Sequence, residues 1–508
     1  MTLVKLKRTE NGALGYESSG SALVDMFFKG ISYRNEPEDV IFKDYAKAWE
    51  EDPLSALKLA FFFGDIREGM GERRLFNACL EWLAAKQPET LLKNIQLIPE
   101  FSRWDLVVNL ACSFSGKDMV GLGALQIIKS QLEADEGRYA WDRNKPVSLL
   151  AKWMPSVNAS SKKTKEKAKR LVKLLGLNQE EYRKMLSRLR ERIRLVETQM
   201  TENKWNEIDY SKVPSKANLK YSKAFIRHDL DRRIQHLRQA LNGKKKINAN
   251  AVFPYEIYKM MRESLESKAN EDTEERILSA EAAWSALPLE GISPALCVLD
   301  TSGSMTCEIV GSAEREDAAA SLALLMSSRL QGPFKDKLVL FSKSPKYIDL
   351  TKCQTLQQKV SALNALEVNE NTDIWKVFHL LLETAKESNL GQDQIPERVI
   401  IFSDMEFDEH FSYTFFGIDE EKITSMKKSL FSRIKQEWDE AGLKIPKLVF
   451  WNIGNASGAI PMRKSPEGVI LMSGFSQILA STALSGADTP KDALMEKLNS
   501  ERYEDIVL

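Results

Sequence analysis

The spacing of apolar residues changes near residue 290, and that change constrains the fold more than any other feature of the chain. From about residue 40 to 290 they recur three and four apart, as in Ala56, Leu59, Ala60, Phe63, then Leu75, Cys79, Leu80, Leu83, and later Leu186, Leu189, Ile193, Val196. That period predicts helices. Beyond residue 290, runs of strand length appear at 295–299, 338–341, 399–402, 448–451 and 469–472, separated by helix-length segments at 314–330, 356–366, 374–386 and 420–441. Continuous apolar strands alternating with helices predict a mainly parallel sheet covered on both faces. The boundary falls at Leu287-Pro-Leu-Glu-Gly291. Breaks at Gly69-Met-Gly71, Gln87-Pro88 and Met154-Pro155 suit a stack of helix pairs of the solenoid kind, without a clean fixed-period repeat. Residues 1–35 read as a loosely structured lead-in, 36–290 as the helical domain, 291–485 as the α/β domain, and 486–508 as a helix or tail packing back on the body.

The chain has 508 residues, enough for two or three domains. No stretch approaches the roughly 18 apolar residues of a membrane span, and no apolar region follows Met1-Thr-Leu-Val-Lys-Leu-Lys-Arg8, so neither a membrane segment nor a secretory signal is expected. Five scattered cysteines without a CxxC read as reduced thiols. A cytoplasmic monomer is the expectation.

Lys plus Arg (72) balance Asp plus Glu (72), but residues 161–246 hold 25 against 10, a local excess of +15. Lys162, Lys163, Lys165, Lys167, Lys169 and Arg170 open the segment. Arg183, Lys184, Arg188, Arg190, Arg192 and Arg194 alternate with an apolar stripe, and Lys212, Lys216, Lys220, Lys223 and Arg227 interleave with Tyr210, Tyr221 and Phe225. Such a field attracts polyanions through counterion release, and aromatics among the cations can stack on unpaired bases or serve as core. Acidic protein or membrane headgroups are the competing partners. A basic field this long without an amphipathic membrane helix favours nucleic acid.

Asp300-Thr-Ser302-Gly-Ser304-Met305 follows the first predicted strand. A carboxylate and two hydroxyls at the carboxyl end of a strand suit a hard, oxygen-seeking divalent cation, although Asp and Ser also suit a plain turn and helix cap. Thr372 in Asn371-Thr-Asp373 and Asp404 after the third buried run occupy later loops that one sheet edge could bring to the same place, with Asp373 an alternative to Thr372. Glu406 and Asp408 add negative charge there, as metal or partner contacts or as solvated loop acids. This pattern resembles a von Willebrand factor A domain with its metal-ion-dependent adhesion site. The resemblance implies a Rossmann-like doubly wound sheet and Mg²⁺, or another divalent cation, on Asp300, Ser302, Ser304, Thr372 and Asp404.

The helical half carries Gly64-Asp-Ile-Arg67-Glu-Gly69-Met-Gly71-Glu-Arg73, Arg103-Trp-Asp-Leu106 and Leu150-Ala-Lys-Trp153-Met-Pro-Ser156. With the downstream domain these phrases resemble the Ro autoantigen, or TROVE, architecture, in an uncharacterised branch found in viruses, bacteria and eukaryotes. That resemblance implies a HEAT-like α-helical repeat array, expected to form a ring closed by the A-type domain, which binds small structured RNA outside and single-stranded ends within. The RNA-contact candidates are Arg67, Arg73, Arg103, Lys162, Lys163, Arg188, Arg192, Lys216 and Lys220. Arg67, Arg73 and Arg103 could equally pair with neighbouring acids, Gly64, Gly69 and Gly71 would permit a tight turn, and Trp104 and Trp153 read as core.

Two other functions compete with RNA binding. One is a metal-dependent protein scaffold, whose cation accepts a partner carboxylate. The other is catalysis, which needs a general base beside the metal. His410 is placed to act there, whereas His379 falls on the preceding helix and His228 and His236 in the basic segment. Without a Walker loop, HExxH or Ser-His-Asp order, no catalytic residue is assigned and a non-enzymatic protein is expected.

Overall fold

A computed structural model of the chain describes residues 6–8, 14–16, 18–113, 118–141, 145–193, 195–249, 252–268, 270–287, 295–301, 305, 308–309, 313–341, 345–365, 374–404, 434–454, 469–473 and 490–508. After a short hairpin, β1 (Leu6–Arg8) and β2 (Leu14–Tyr16), the chain is helical to residue 285. The helices are α1 (Ala22–Phe28), α2 (Glu38–Glu51), α3 (Pro53–Gly64), α4 (Arg73–Lys86), α5 (Pro88–Asn94), α6 (Ile98–Phe101), α7 (Trp104–Ser113), α8 (Met119–Trp141), α9 (Leu150–Trp153), α10 (Lys162–Leu175), α11 (Gln179–Ile193), α12 (Val196–Thr201), α13 (Ser215–Lys220), α14 (Ser222–Leu241), α15 (Pro254–Glu266) and α16 (Glu271–Ser285).

Local chemistry explains several of these boundaries. Asp52 accepts the Ser55 amide and Pro53 fills the first turn of α3, where a missing N–H costs nothing. From Ser55 to Gly64 every residue of α3 is buried, as expected of a helix apolar all round. Ser161 caps α10 and Gly176, at φ +73°, ends it in the left-handed conformation. Helices pack largely on near neighbours in the chain: α2 on α3 and α4, α7 on α8, and α16 on both α14 and α15.

Within the region expected to be a loose lead-in, α1 is a capped and buried helix. Ser21 caps α1, and Leu23, Val24, Met26, Phe27 and Phe28 are all buried. A seven-residue helix whose one polar side chain is Asp25 has no solvent face to leave free, so it is driven into the core.

In the C-terminal half, the mixed six-stranded sheet has the order β10-β9-β8-β3-β6-β7. These strands are β3 (Leu296–Asp300), β6 (Lys337–Phe341), β7 (Tyr347–Asp349), β8 (Arg398–Ser403), β9 (Lys447–Asn452) and β10 (Val469–Ser473); β4 (Glu308–Ile309) and β5 (Ala313–Glu314) form a separate hairpin. All neighbours are parallel except β7, which returns antiparallel on β6. The three-residue β7 is too short to leave a periodicity signal. The helices of this half include α17 (Arg315–Ser327), α18 (Leu356–Asn364) and α19 (Ile374–Glu387). The chain leaves β3 through α17 to β6 on one side, then crosses to β8 on the other, so strand order reverses between β3 and β8. Their carboxyl ends mark the crevice where open α/β sheets bind ligands.

The two halves share one core. α15 packs on α17 and α18, and Arg262 of α15 donates to both Asp317 (2.9 Å) and Glu314 (2.7 Å). Glu281 of α16 accepts the Leu356 and Gln357 amides, satisfying two orphan donors at the start of α18. At the other end of the helical half, α1 packs on β10, and the helix Pro490–Leu498 packs on α3 and β10. The α/β half thus touches both the first and the last helices of the α half.

Candidate nucleic-acid interface

The turn between α3 and α4 forms one wall of a cleft. Asp65 ends α3, its carboxylate accepts the Arg67 amide at 2.9 Å, and its carbonyl accepts the Gly71 amide at 3.0 Å. Gly71 has φ +67°, a conformation costly for residues with a Cβ, and a Cβ there would also lie 3.1 Å from the Phe253 ring. A Cβ at Gly69 would lie 2.1 Å from the Phe62 carbonyl. These positions force the tight turn, which presents the exposed Arg67.

Facing that turn are the start of α7, α9, α13 and the segment before α15, which enclose a cleft of about 840 Å³. Five of the nine cations expected to contact RNA line it: Arg67, Arg73, Arg103, Lys216 and Lys220. Lys152, which sequence reasoning did not single out, is a sixth, against two lining acids, Glu100 and Glu197. Trp104, Trp153, Tyr221 and Phe253 interleave with these cations. The Arg103 guanidinium lies 4.0 Å over the Trp153 ring, Lys216 4.9 Å over Phe253 and Lys220 5.1 Å over Tyr221. Trp104 and Trp153, read as core from the sequence, are half-buried walls of the cleft.

Acids hold some of these cations without removing the positive excess. Arg103 and Arg73 share Asp105, at 2.6 and 3.3 Å, so one carboxylate serves two guanidinia. Lys216 meets Glu256 at 3.3 Å, and Lys152 lies 3.9 Å from Glu197. The Arg67 guanidinium has no partner among the described residues.

The other four candidates lie outside the cleft. Lys162 and Lys163 are exposed at the start of α10. Arg188 pairs with Glu136 at 2.5 Å, and Arg192 donates to the Lys145 carbonyl at 3.2 Å. Some cations of the basic segment are structural. Arg190 is turned inward, donating to the Ala151 and Met154 carbonyls and to Ser156, with burial lowering its pKa. Arg233 is wholly buried, bonded to Glu275 (3.0 Å), Asn218 (3.0 Å) and Ser279 (3.0 Å). Tyr210 and Phe225 belong to a small core with Val196 and Ile208, leaving Tyr221 as the aromatic of this stretch that reaches the cleft.

At the sheet's crevice, Asp300 ends β3 and Asp404 follows β8. Ser403 donates to Asp300 Oδ2 at 2.6 Å, and Arg315, the first residue of α17, donates to Asp404 Oδ2 at 2.5 Å. The expected ligands Ser302, Ser304 and Thr372, with Asp373, Glu406, Asp408 and His410, lie outside the described residues. Asp300 and Asp404 supply the hard oxygens a divalent cation takes, and a cation there would share Asp404 with the Arg315 guanidinium. Among the described residues no three His, Cys, Asp or Glu side chains converge as a metal site. Arg315 and Ser403 are members of this cluster that spacing alone does not reveal, because one enters from α17 and the other is the last residue of β8.

The remaining histidines have structural partners. His379 meets Glu437 at 3.3 Å and stacks on Trp375, His228 stacks on Trp205, and His236 lies against Tyr210. Among the described residues no helix is long and apolar enough to cross a membrane.

Comparison with known proteins divides the chain where its periodicity changes. Residues 9–119 and 158–289 match a family described as Domain of unknown function (DUF2828), and residues 294–505 match Domain of unknown function (DUF7788). An uncharacterized protein of Acanthamoeba polyphaga mimivirus is 27% identical over 536 residues, covering 98% of this chain and 88% of the relative. Among solved structures, the crystal structure of the Ro (RSR) protein of Deinococcus radiodurans is similar with a TM-score of 0.38 and 12% identity, covering 92% of this chain and 99% of that one.

Proposed function

We propose that this is a non-enzymatic RNA-binding protein that takes unpaired RNA into the cleft between the α3–α4 turn, α9 and α13. The observation that carries this reading is the convergence of Arg67, Arg73, Arg103, Lys152, Lys216 and Lys220 with four aromatic rings. Cations track a phosphate backbone, and aromatic faces stack on bases that a duplex would keep paired. A volume of about 840 Å³ is in the range that encloses a small ligand, which suits a few unpaired nucleotides. Lys162, Lys163, Arg188 and Arg192 supply a second basic surface on α10 and α11 for structured RNA.

In this reading the α/β half supports the array from both ends and recruits a partner through a divalent cation. Asp300 would hold Mg²⁺, with Ser302, Ser304, Thr372 and Asp404 completing the set. A bound cation supplies a coordination position for a partner's oxygen. Arg315 keeps the Asp404 charge compensated whether or not a cation is present.

The test is fluorescence anisotropy with a labelled single-stranded 12-nucleotide RNA and with an RNA hairpin, on protein freed of nucleic acid by high salt. Single-strand binding should weaken steeply with salt, with a log–log slope of about −0.7 per phosphate contacted. Failure to bind either RNA at low salt overturns the reading. Protein capture that is lost with a chelator but insensitive to salt would favour the scaffold function instead.

A further inference from the structure

Asp65 is fully buried at the base of the turn that presents Arg67, and its charge is compensated from the far end of the chain. Arg502 donates to its two oxygens at 3.1 and 3.3 Å, and the Tyr503 hydroxyl donates at 3.0 Å. Arg502 is itself fixed by a 2.8 Å bond to Glu100 and by stacking 4.2 Å over Phe101. The segment is anchored farther on, where the Asn94 carboxamide accepts the Val507 amide and donates to the Val507 carbonyl.

We propose that Arg502 is a positioning residue for the cleft, setting through Asp65 where Arg67 points. This rests on the cleft being the RNA site. A buried carboxylate demands a cation. While Arg502 fills that role, the Arg67 guanidinium two residues away has no partner among the described residues and faces the cleft. Without Arg502, the cation nearest in sequence is Arg67 itself. It turns inward to Asp65, and the cleft loses a charge although no lining residue has changed. The last segment of the chain, which follows the α/β half, therefore governs a wall of the site built by the helical half.

Two measurements test this. With the labelled single-stranded 12-mer, Arg502→Gln should lower the salt slope by the same roughly 0.7 as Arg67→Gln, and the double variant should lower it no further. Arg502→Lys should retain most of the slope. Additive losses in the double variant, or an unchanged slope in Arg502→Gln, overturn the proposal. The second measurement needs no RNA: hydrogen exchange at the Arg67 and Gly71 amides, both bonded to Asp65, should speed up in Arg502→Gln while amides within α4 do not. Unchanged exchange at those two amides also overturns it. Faster exchange in a protein that binds no RNA would uphold the positioning role and refute the ligand. Tyr503→Phe, which removes one bond and no charge, gives the same exchange readout more mildly should Arg502→Gln not fold.

Discussion

Arg315 and Asp404 form a buried ion pair, Nη1 to Oδ2 at 2.5 Å, with the two residues 8% and 1% exposed. The pair joins the start of α17 to the end of β8 across the sheet's switch point. On either side of Arg315, Glu314 and Asp317 hold Arg262 of α15. One turn of helix thus links the crevice to the helical half.

Removing the guanidinium exposes what the crevice needs. Arg315→Met should cost about 3–5 kcal/mol in urea unfolding, because it breaks a buried ion pair by removing one partner. Millimolar Mg²⁺ should recover part of that loss in the variant and add less to the wild type. Absence of any recovery would mean that Asp300 and Asp404 do not take a cation together.

The two basic surfaces should be separable. Changing Arg67, Lys216 and Lys220 together to Gln should reduce the single-strand salt slope by about 2 and leave hairpin binding largely intact. Changing Lys162, Lys163, Arg188 and Arg192 should do the reverse. Equal losses for both RNAs from either set would contradict a division between cleft and outer face.

Arg233 lies in the basic segment, yet its partners are Glu275, Asn218 and Ser279. Arg233→Met should cost about 3–5 kcal/mol, and adding Glu275→Leu should recover part of it, since no bare charge remains. RNA affinity measured where the variant is still folded should not change. A drop in affinity there would place Arg233 in the RNA site after all.

Burial outweighs Arg262 at Asp317 and raises its pKa from the usual 3.8 to about 6. The folded protein therefore binds a proton between about pH 4 and 6 that the unfolded chain does not. This group's contribution to stability increases as pH falls through that window and is lost as pH rises through about 6. Asp317→Asn should flatten the wild-type stability profile by up to about 3 kcal/mol across it. Parallel profiles for the two proteins would show that Asp317 stays ionised.

Period and punctuation made the coarse fold legible. The helical spacing before residue 290, the strands at the apolar runs after it and the glycine-marked turn appear where the chain predicts them, because each reflects backbone geometry acting over a few residues; most of the helix expected at 420–441 lies outside the described residues. What escaped prediction depends on distant partners. Trp104 and Trp153 look like core until the facing elements prove to enclose a cleft, and Arg190 and Arg233 look like surface charge until Met154 and Glu275 are seen to hold them. Lys152 gains meaning from Lys216 and Arg67, far away in sequence. Asp300 and Asp404 could be proposed as neighbours from strand order, but Arg315 could not, since nothing in Glu314-Arg-Glu-Asp317 distinguishes a buried guanidinium from an exposed one.

Phe28 closes α1 among the side chains of the sheet's own core, and its carbonyl accepts the Asn452 carboxamide, 424 residues later. In a chain emerging from the ribosome, Phe28 is made 424 residues before this partner. Leu23, Val24, Met26 and Phe27 pack in the core shared with the helices that follow, as Phe27 does on Phe62, whereas Phe28 waits for its neighbours on the sheet. Contacts of this sequence separation slow folding, and they make α1 and β9 succeed or fail together.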